Sequence, residues 1–228
     1  MNTFADKFIQ NFIEENRYMY LLKGLGNTFI ITIFAVLIGV FLGFLVAIIR
    51  STADKTGKLK VLDLICRVYV TIIRGTPVMI QLLIMFYVVF VNSNNKIFTA
   101  IMTFGINSGA YVAEIVRGGI MSIDNGQFEA GRSIGFNYPQ TMYYIIMPQV
   151  FKNVLPALAN EFIVLLKETS ICGYIGLMDL TRGGDIIRSR TYEAFLPLIA
   201  VAIIYLVIVM VLTSLVRRLE RRLRASER

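Results

Sequence analysis

The sequence predicts an all-α polytopic membrane protein with five transmembrane helices, the N-terminus outside and the C-terminus in the cytoplasm. Three observations predict it. Of 228 residues, 56% are hydrophobic and only 17% are charged, against about 25% charged in an ordinary soluble domain. The apolar residues fall in long runs without charge. The formal net charge of +8 gathers in alternate connecting segments rather than spreading along the chain.

Each element follows in order. Residues 1–22 place Phe4, Phe8, Ile9 and Phe12 among Asp6, Lys7, Glu14 and Glu15, the spacing of a short amphipathic helix lying at a membrane interface. Gly24 to Ile49 is 26 residues without a charge. That exceeds a signal-peptide core of about 7–15 residues and the roughly 20 that a spanning helix needs. Gly75 to Asn95 gives 21 such residues and Ala194 to Val216 gives 23. Two weaker segments need neighbouring helices. Ile97 to Ala113 is charge-free until Glu114, and Asn153 to Ser170 carries Glu161, Lys167 and Glu168 in a largely apolar stretch. The predicted spans are 24–49, 68–91, 97–118, 153–173 and 194–216. Together they make residues 1–228 one transmembrane domain.

Charge sets the orientation. Arg50, Lys55, Lys58 and Lys60 oppose only Asp54 in the first connection, and the 217–228 tail has six arginines against two glutamates. Segment 117–152 is slightly positive, while 1–23 and 174–193 balance to zero. Lys and Arg collect on the cytoplasmic side, and five spans put every richer segment there. The basic excess is therefore an orientation signal, not a nucleic-acid footprint. The chain has no His, no CxxC pair, no metal-ligand spacing and no GxxxxGK[ST] phosphate loop. No catalytic residue, metal or cofactor is expected on this chain. Cys66 and Cys172 sit near opposite ends of the predicted bundle, so no disulfide is expected between them.

The loop at 125–150 has its own logic. A short helix over about Gln127 to Ile134 can end at Gly135, which reaches the left-handed conformation without a side-chain penalty. Asn137 can cap the next helix, with Pro139 in its first turn and Gln140 at capping-box spacing. Two short cytoplasmic helices at an angle read either as a docking knob or as a surface helical hairpin with no partner.

This loop resembles the EAA coupling loop of ABC importer permeases. Glu129-Ala130-Gly131 is followed by Gly135 and by Ile145-Ile146-Met147-Pro148. Gly131 replaces the pattern's second alanine, which weakens the helix by about 0.5–1 kcal/mol, and Met147 replaces a leucine. Arg74-Gly75-Thr76-Pro77 with Gln81 resembles the RGTPxxxQ signature of the polar amino acid permeases, the histidine/glutamine/arginine group. The stretches Gly109 to Ile120 and Lys167-Glu168-Thr169-Ser170 resemble two further segments of that group.

The resemblance implies a type I ABC importer permease fold in a bacterial plasma membrane. It implies pairing with a second permease copy or a paralogue, two cytoplasmic ABC ATPase subunits that bind ATP and Mg2+, and an extracytoplasmic solute-binding protein. Glu129, Ala130, Gly131, Gly135 and Pro148 become the ATPase-coupling residues. A bare charge at mid-bilayer costs at least about 2.5–3.5 kcal/mol, so charges within the spans should face the bundle or a watery path. The expected substrate-pathway residues are Glu161, Asn160, Glu114, Ser170, Lys167, Arg74, Thr76 and Gln81. Glu114 has a possible partner in Arg117, three residues on. Glu161 can pair with a cation that brings its own hydrogen-bond donors. That favours arginine, lysine or histidine as substrate, with glutamine or another neutral or acidic amino acid as the alternative. A secondary transporter or channel would show inverted repeats, and none is visible.

Overall fold

The structure, a computed structural model, describes residues 3–225. Residues 1–2 of the predicted interfacial stretch and 226–228 of the predicted basic tail lie outside the described residues.

The described chain is all helical. α1 (Phe4–Phe8) runs through a π-turn (Ile9–Ile13) and a 3-10 turn (Glu14–Asn16) into α2 (Tyr18–Thr56). α3 (Lys60–Gly75) and α4 (Val78–Ile84, prolonged to Val89 by a π-turn) follow, then α5 (Lys96–Met121). α6 (Asn125–Ser133) and α7 (Tyr138–Thr141) form the loop at 125–150. α7 passes through a π-turn (Met142–Ile146) into α8 (Met147–Glu168), which ends in a 3-10 segment (Thr169–Ile175). α9 (Leu180–Thr191) and α10 (Phe195–Ala225) complete the chain, so the predicted basic tail continues α10 as far as it is described.

Among the described residues three helices, not five, are long and apolar enough to cross a membrane: Tyr18–Thr56, Tyr138–Ile175 and Phe195–Leu223. The predicted span 68–91 is two helices, α3 and α4, bent by 107°, which make a fourth crossing if taken together. The predicted span 97–118 is α5, long enough at 26 residues but too polar. The reason is its position. Thr99, Thr103, Asn107 and Ser108 of α5 are all buried, so α5 is clothed by other helices and need not dissolve in lipid. The predicted span 153–173 starts much earlier, at Tyr138. Pro148 lacks an N–H and would ordinarily stop a helix, but the π-turn directly before it widens the coil and lets the helix continue.

α2 and α5 form the central seam. On α2, Gly39 and Gly43 face Ser108 and Val112; on α5, Gly105 and Gly109 face Ile38 and Leu42. Reciprocal small residues four apart let two backbones approach closely, the packing that membrane helices use where lipid supplies no hydrophobic drive. The opposite face of α2 exposes Ile30, Ile33, Phe34, Leu37, Phe41 and Leu45.

α9 lies in a stretch that charge balance alone marked as a loop. Asp179 caps it, accepting from the amides of Thr181 (3.1 Å) and Arg182 (3.2 Å). Gly183 sits against the backbone of Tyr20, where a Cβ would come within 2.6 Å of the carbonyl oxygen. The N-terminal stretch packs here too. Buried Asn11 accepts from Thr191 Oγ1 (2.8 Å), and Phe12 packs with Leu180, Ile187 and Leu196. Phe4, Phe8, Ile9 and Ile13 remain exposed on its other side. Cys66 and Cys172 are both free and buried, in separate clusters.

Candidate functional site

α8 carries two parallel rows of polar residues, seven apart and therefore on nearly one face. One row is Asn160 and Lys167, both exposed; the other is Glu161 and Glu168, both half-buried. Glu161 Oε1 accepts from Ser108 Oγ at 3.1 Å. Its second oxygen has no hydrogen-bond partner among the described residues. One uncovered stripe of α8 reads Asn153, Ala157, Asn160 and Lys167, and its other side exposes Phe151 and Leu155. The uncovered face of α10 reads Ile203, Leu206, Val207 and Met210. The same protein thus exposes an oily face on one helix and a small, polar face on another. Only the first suits lipid.

Ser170 does not join Glu161. Nine residues further on, about 13 Å along the helix, it lines a cleft of about 340 Å³ with Tyr174, Thr181, Arg182 and Asp185. Asp185 accepts from both Arg188 and Arg182 at 2.6 Å. The hydrogen bond from Arg188 above all holds its carboxyl below the usual range.

Thr76 and Gln81 brace the bend between α3 and α4. Gln81 Nε2 donates to Thr76 Oγ1 (2.8 Å) and to the Ile73 carbonyl (2.8 Å), and its Oε1 accepts from Asn107 Nδ2 (2.9 Å). The amide side chain occupies backbone acceptors that Pro77 leaves free. Both amide hydrogens of Gln81 and one acceptor position of its oxygen are therefore spent inside the fold.

Glu114 belongs to a ring of charges. Its close partner is Arg50 of α2, not Arg117, which stands 3.9 Å away. Arg50 lies 3.8 Å from Asp63, Asp63 pairs with Arg67 (2.8 Å), Arg67 with Asp54 (3.1 Å), and Asp54 with Arg117 (3.2 Å), which returns to Glu114. Cations and anions alternate all the way round, across α2, α3 and α5. Arg50 and Asp63 are buried, where removing one partner leaves an uncompensated charge. Arg74 hangs on the ring, 3.9 Å from Glu114 and stacked over Tyr111.

The α6–α7 knob forms as its sequence dictates. Gly135 has φ +86°. Asn137 and Gln140 exchange both capping-box bonds, at 2.9 and 3.0 Å. Glu129, Ala130 and Pro148 are exposed, as are Ile134, Tyr143 and Tyr144. The Glu129 carboxylate has no partner among the described residues. Gly131 is the exception: it is buried, and a Cβ there would meet Thr141 Cγ2 and Oγ1 at 2.6 Å. The glycine is the space that Thr141 fills. Gly131→Ala alone is therefore expected to lower the thermal midpoint despite alanine's higher helix propensity, and Thr141→Ala in the same chain to restore it. Melting curves of the four corners of this cycle check the coupling.

The chain matches the family described as "Binding-protein-dependent transport system inner membrane component" over residues 35–225. It belongs to that family. The permease is 35% identical over 210 residues to a putative glutamine transport system permease protein GlnP of Rickettsia typhi, covering 91% of this chain and 94% of the relative. It is 34% identical to the arginine transport system permease protein ArtQ of Bacillus subtilis, with 91% and 94% covered. It is 34% identical to GlnP of Escherichia coli K12, with 90% and 93% covered. Among solved structures, an amino acid ABC transporter crystallised with histidines superposes with a TM-score of 0.83 at 41% identity, covering 92% of this chain and 98% of that one. The inward-facing methionine transporter MetNI shares the fold, with a TM-score of 0.75 at 22% identity.

The permease is thus a multi-pass inner-membrane subunit of an amino-acid ABC importer, with the all-α type I importer fold, and is not itself the catalytic component. Sequence reading missed Arg50, Asp63 and Ser108 as partners of the residues it singled out. Ser108 carried no signal beyond its place opposite Gly39. Arg50 was visible only as a loop charge, because its burial depends on α2 and α3 extending past the apolar runs.

Proposed function

We propose that this permease is the pathway subunit of a glutamine-type importer, taking a neutral polar amino acid from an extracytoplasmic binding protein. Two permeases, copies or paralogues, enclose the path, and two cytoplasmic ATPase subunits hold the ATP and Mg2+. In this reading the chain crosses the membrane five times, N-terminus out and C-terminus in, with α5 as the shielded crossing. The α6–α7 knob seats the ATPase, with Glu129, Ala130 and the exposed Ile134 and Tyr143 offered to it. Residues 3–22 lie at the outer interface through Phe4, Phe8, Ile9 and Ile13.

The observation that carries the reading is Glu161, half-buried on the polar stripe of α8 with one oxygen bound to Ser108 and one open. An open carboxylate oxygen can accept a side-chain amide N–H, although a cationic donor binds it more strongly. The similar permeases of Rickettsia and Escherichia coli carry glutamine in their names, and that of Bacillus subtilis carries arginine. The neutral substrate is thus better supported than the cationic one. The cationic reading keeps two supports of its own: the carboxylate charge and the likeness to ArtQ.

Glu161→Gln separates the two, because it keeps an acceptor and removes the charge. In proteoliposomes with the complete importer, glutamine uptake is expected to fall less than about tenfold, since a neutral hydrogen bond survives. Arginine that drives uptake in the parent, and loses more than about tenfold in the variant, would establish the cationic reading instead.

A further inference from the structure

The last turn of α2 touches both the knob and the charge ring, through adjacent residues. Lys55 reaches the knob: its Nζ donates to Asn125 Oδ1 at 2.7 Å, at the first residue of α6, and lies 4.8 Å from the centre of the Phe128 ring. Phe128 in turn stacks on Tyr138 at the start of α7. Asp54, one residue earlier, reaches the ring. It accepts from Arg67 of α3 at 3.1 Å and from Arg117 of α5 at 3.2 Å. Behind those arginines stand Asp63, Glu114 and the buried Arg50, itself one turn back on α2.

The knob has two routes into the bundle. It is covalently continuous with α8, because α7, the π-turn and α8 form one helix. A push on the knob therefore moves α8 directly. α3 comes before the knob in the chain, and α5 joins it through the 122–124 turn and the apolar cluster of Val116, Ile120, Met142 and Ile146, against which Phe128 and Tyr138 pack. For these two helices the polar route runs through Asp54 and Lys55. Arg50 Nε and Asp63 Oδ1 are buried without hydrogen-bond partners, and they stand 3.8 Å apart. That gap, too long for a hydrogen bond, leaves room for the ring to tighten when its members shift.

We propose that the Asp54–Lys55 turn is a transmission joint: Lys55 takes up movement of the coupling helix α6, and Asp54 passes it to α3 and α5 through Arg67 and Arg117. These are positioning residues that touch neither amino acid nor nucleotide. The inference rests on the reading of the α6–α7 knob as the ATPase seat, and its test separates the two.

The experiment uses the complete importer in proteoliposomes and measures ATPase co-purification, ATP hydrolysed per amino acid imported, and the thermal midpoint. The variants are Asp54→Asn, Asp54→Glu, Lys55→Ala and the Asp54→Asn/Lys55→Ala double. Asp54 is 41% exposed in its side chain, and exposed pairs add little to stability, so the midpoint stays at the parent value for Asp54→Asn. The ATP-per-substrate ratio is expected to rise about fivefold or more in each neutralised single variant, the lower end of ordinary coupling between sites. Asp54→Glu restores it. Two elements in series fail together, so the double variant should be no worse than the worse single one.

A parent permease that retains no ATPase sinks the docking reading, and the joint with it. Retained ATPase with a parent-like ratio in both single variants overturns the joint alone. Loss of bound ATPase in Asp54→Asn also overturns it, since Asp54 would then be a docking contact. An additive double variant would show two independent effects and no relay.

Discussion

Gly39→Leu is expected to abolish accumulation of folded permease in the membrane. A Cβ at this position would sit 2.8 Å from both Cβ and Oγ of Ser108 and 3.3 Å from the Gly109 amide nitrogen. The last of these is backbone, which cannot rotate away. α2 and α5 must separate to admit the side chain, and the seam they share anchors the rest of the bundle. Overpacking typically costs about 1–3 kcal/mol, and separated helices also lose the close backbone contact that holds them together in lipid. Intrinsic propensity points the other way, since leucine is better than glycine in a helix by about 1 kcal/mol. Gly26 supplies the control. It lies in the same helix with nothing within 4 Å of a Cβ, so Gly26→Leu should leave accumulation unchanged. Size-exclusion profiles of detergent-solubilised protein read both. Monodisperse Gly39→Leu at the parent level would remove the seam from its central place. The displaced Ser108 also releases Glu161, so any protein that survives should transport poorly.

What could be read without a structure depended on how local the physics is. The knob was legible almost residue by residue, because caps and left-handed glycines are decided within about four positions. Asn137, Gln140 and Gly135 do what their spacing demands. Gly131 was read as a weakened helix position and an ATPase-coupling residue, since nothing in the chain announces that Thr141, ten residues on, fills the space beside it. The apolar runs located α2, α4 and α10, but not where the helices end. α2 extends to Thr56 because Arg50 and Asp54 find partners on α3 and α5, a tertiary compensation that hydropathy cannot see. α5 failed the apolar test for the complementary reason: a helix buried by its neighbours is free to carry threonine and asparagine. α9 was hidden by its balanced charges, although Asp179 followed by Gly183 and Gly184 marked a cap and a close approach. Among the pathway residues, Gln81 and Thr76 were chosen for a signature that the structure uses to hold a bend. Glu114 was paired by sequence distance with Arg117, while its nearest cation lies 64 positions away on α2.

Gly135→Glu is expected to leave the permease folded and inserted while disconnecting ATP hydrolysis from uptake. The glycine has φ +86°, a region where a side chain costs on the order of 1–3 kcal/mol. No atom lies within 4 Å of a Cβ there, so the penalty is one of backbone conformation and not of collision. The chain relieves it by rotating the turn. Two hydrogen bonds close that turn, Gly135 N to Arg132 O at 3.0 Å and Phe136 N to Gly131 O at 3.0 Å. Rotation breaks them and changes the angle between α6 and α7. The α2–α5 seam lies well away from this turn, which is why insertion should persist. Gly135→Asn tests the cause, because asparagine tolerates the left-handed region far better than glutamate. It should retain most transport-coupled hydrolysis while Gly135→Glu loses it. Equal loss in both would shift the cause from the backbone to the space or charge that an ATPase surface needs at this turn. Normal coupled hydrolysis in purified Gly135→Glu complex would mean that the knob's angle carries no signal at all.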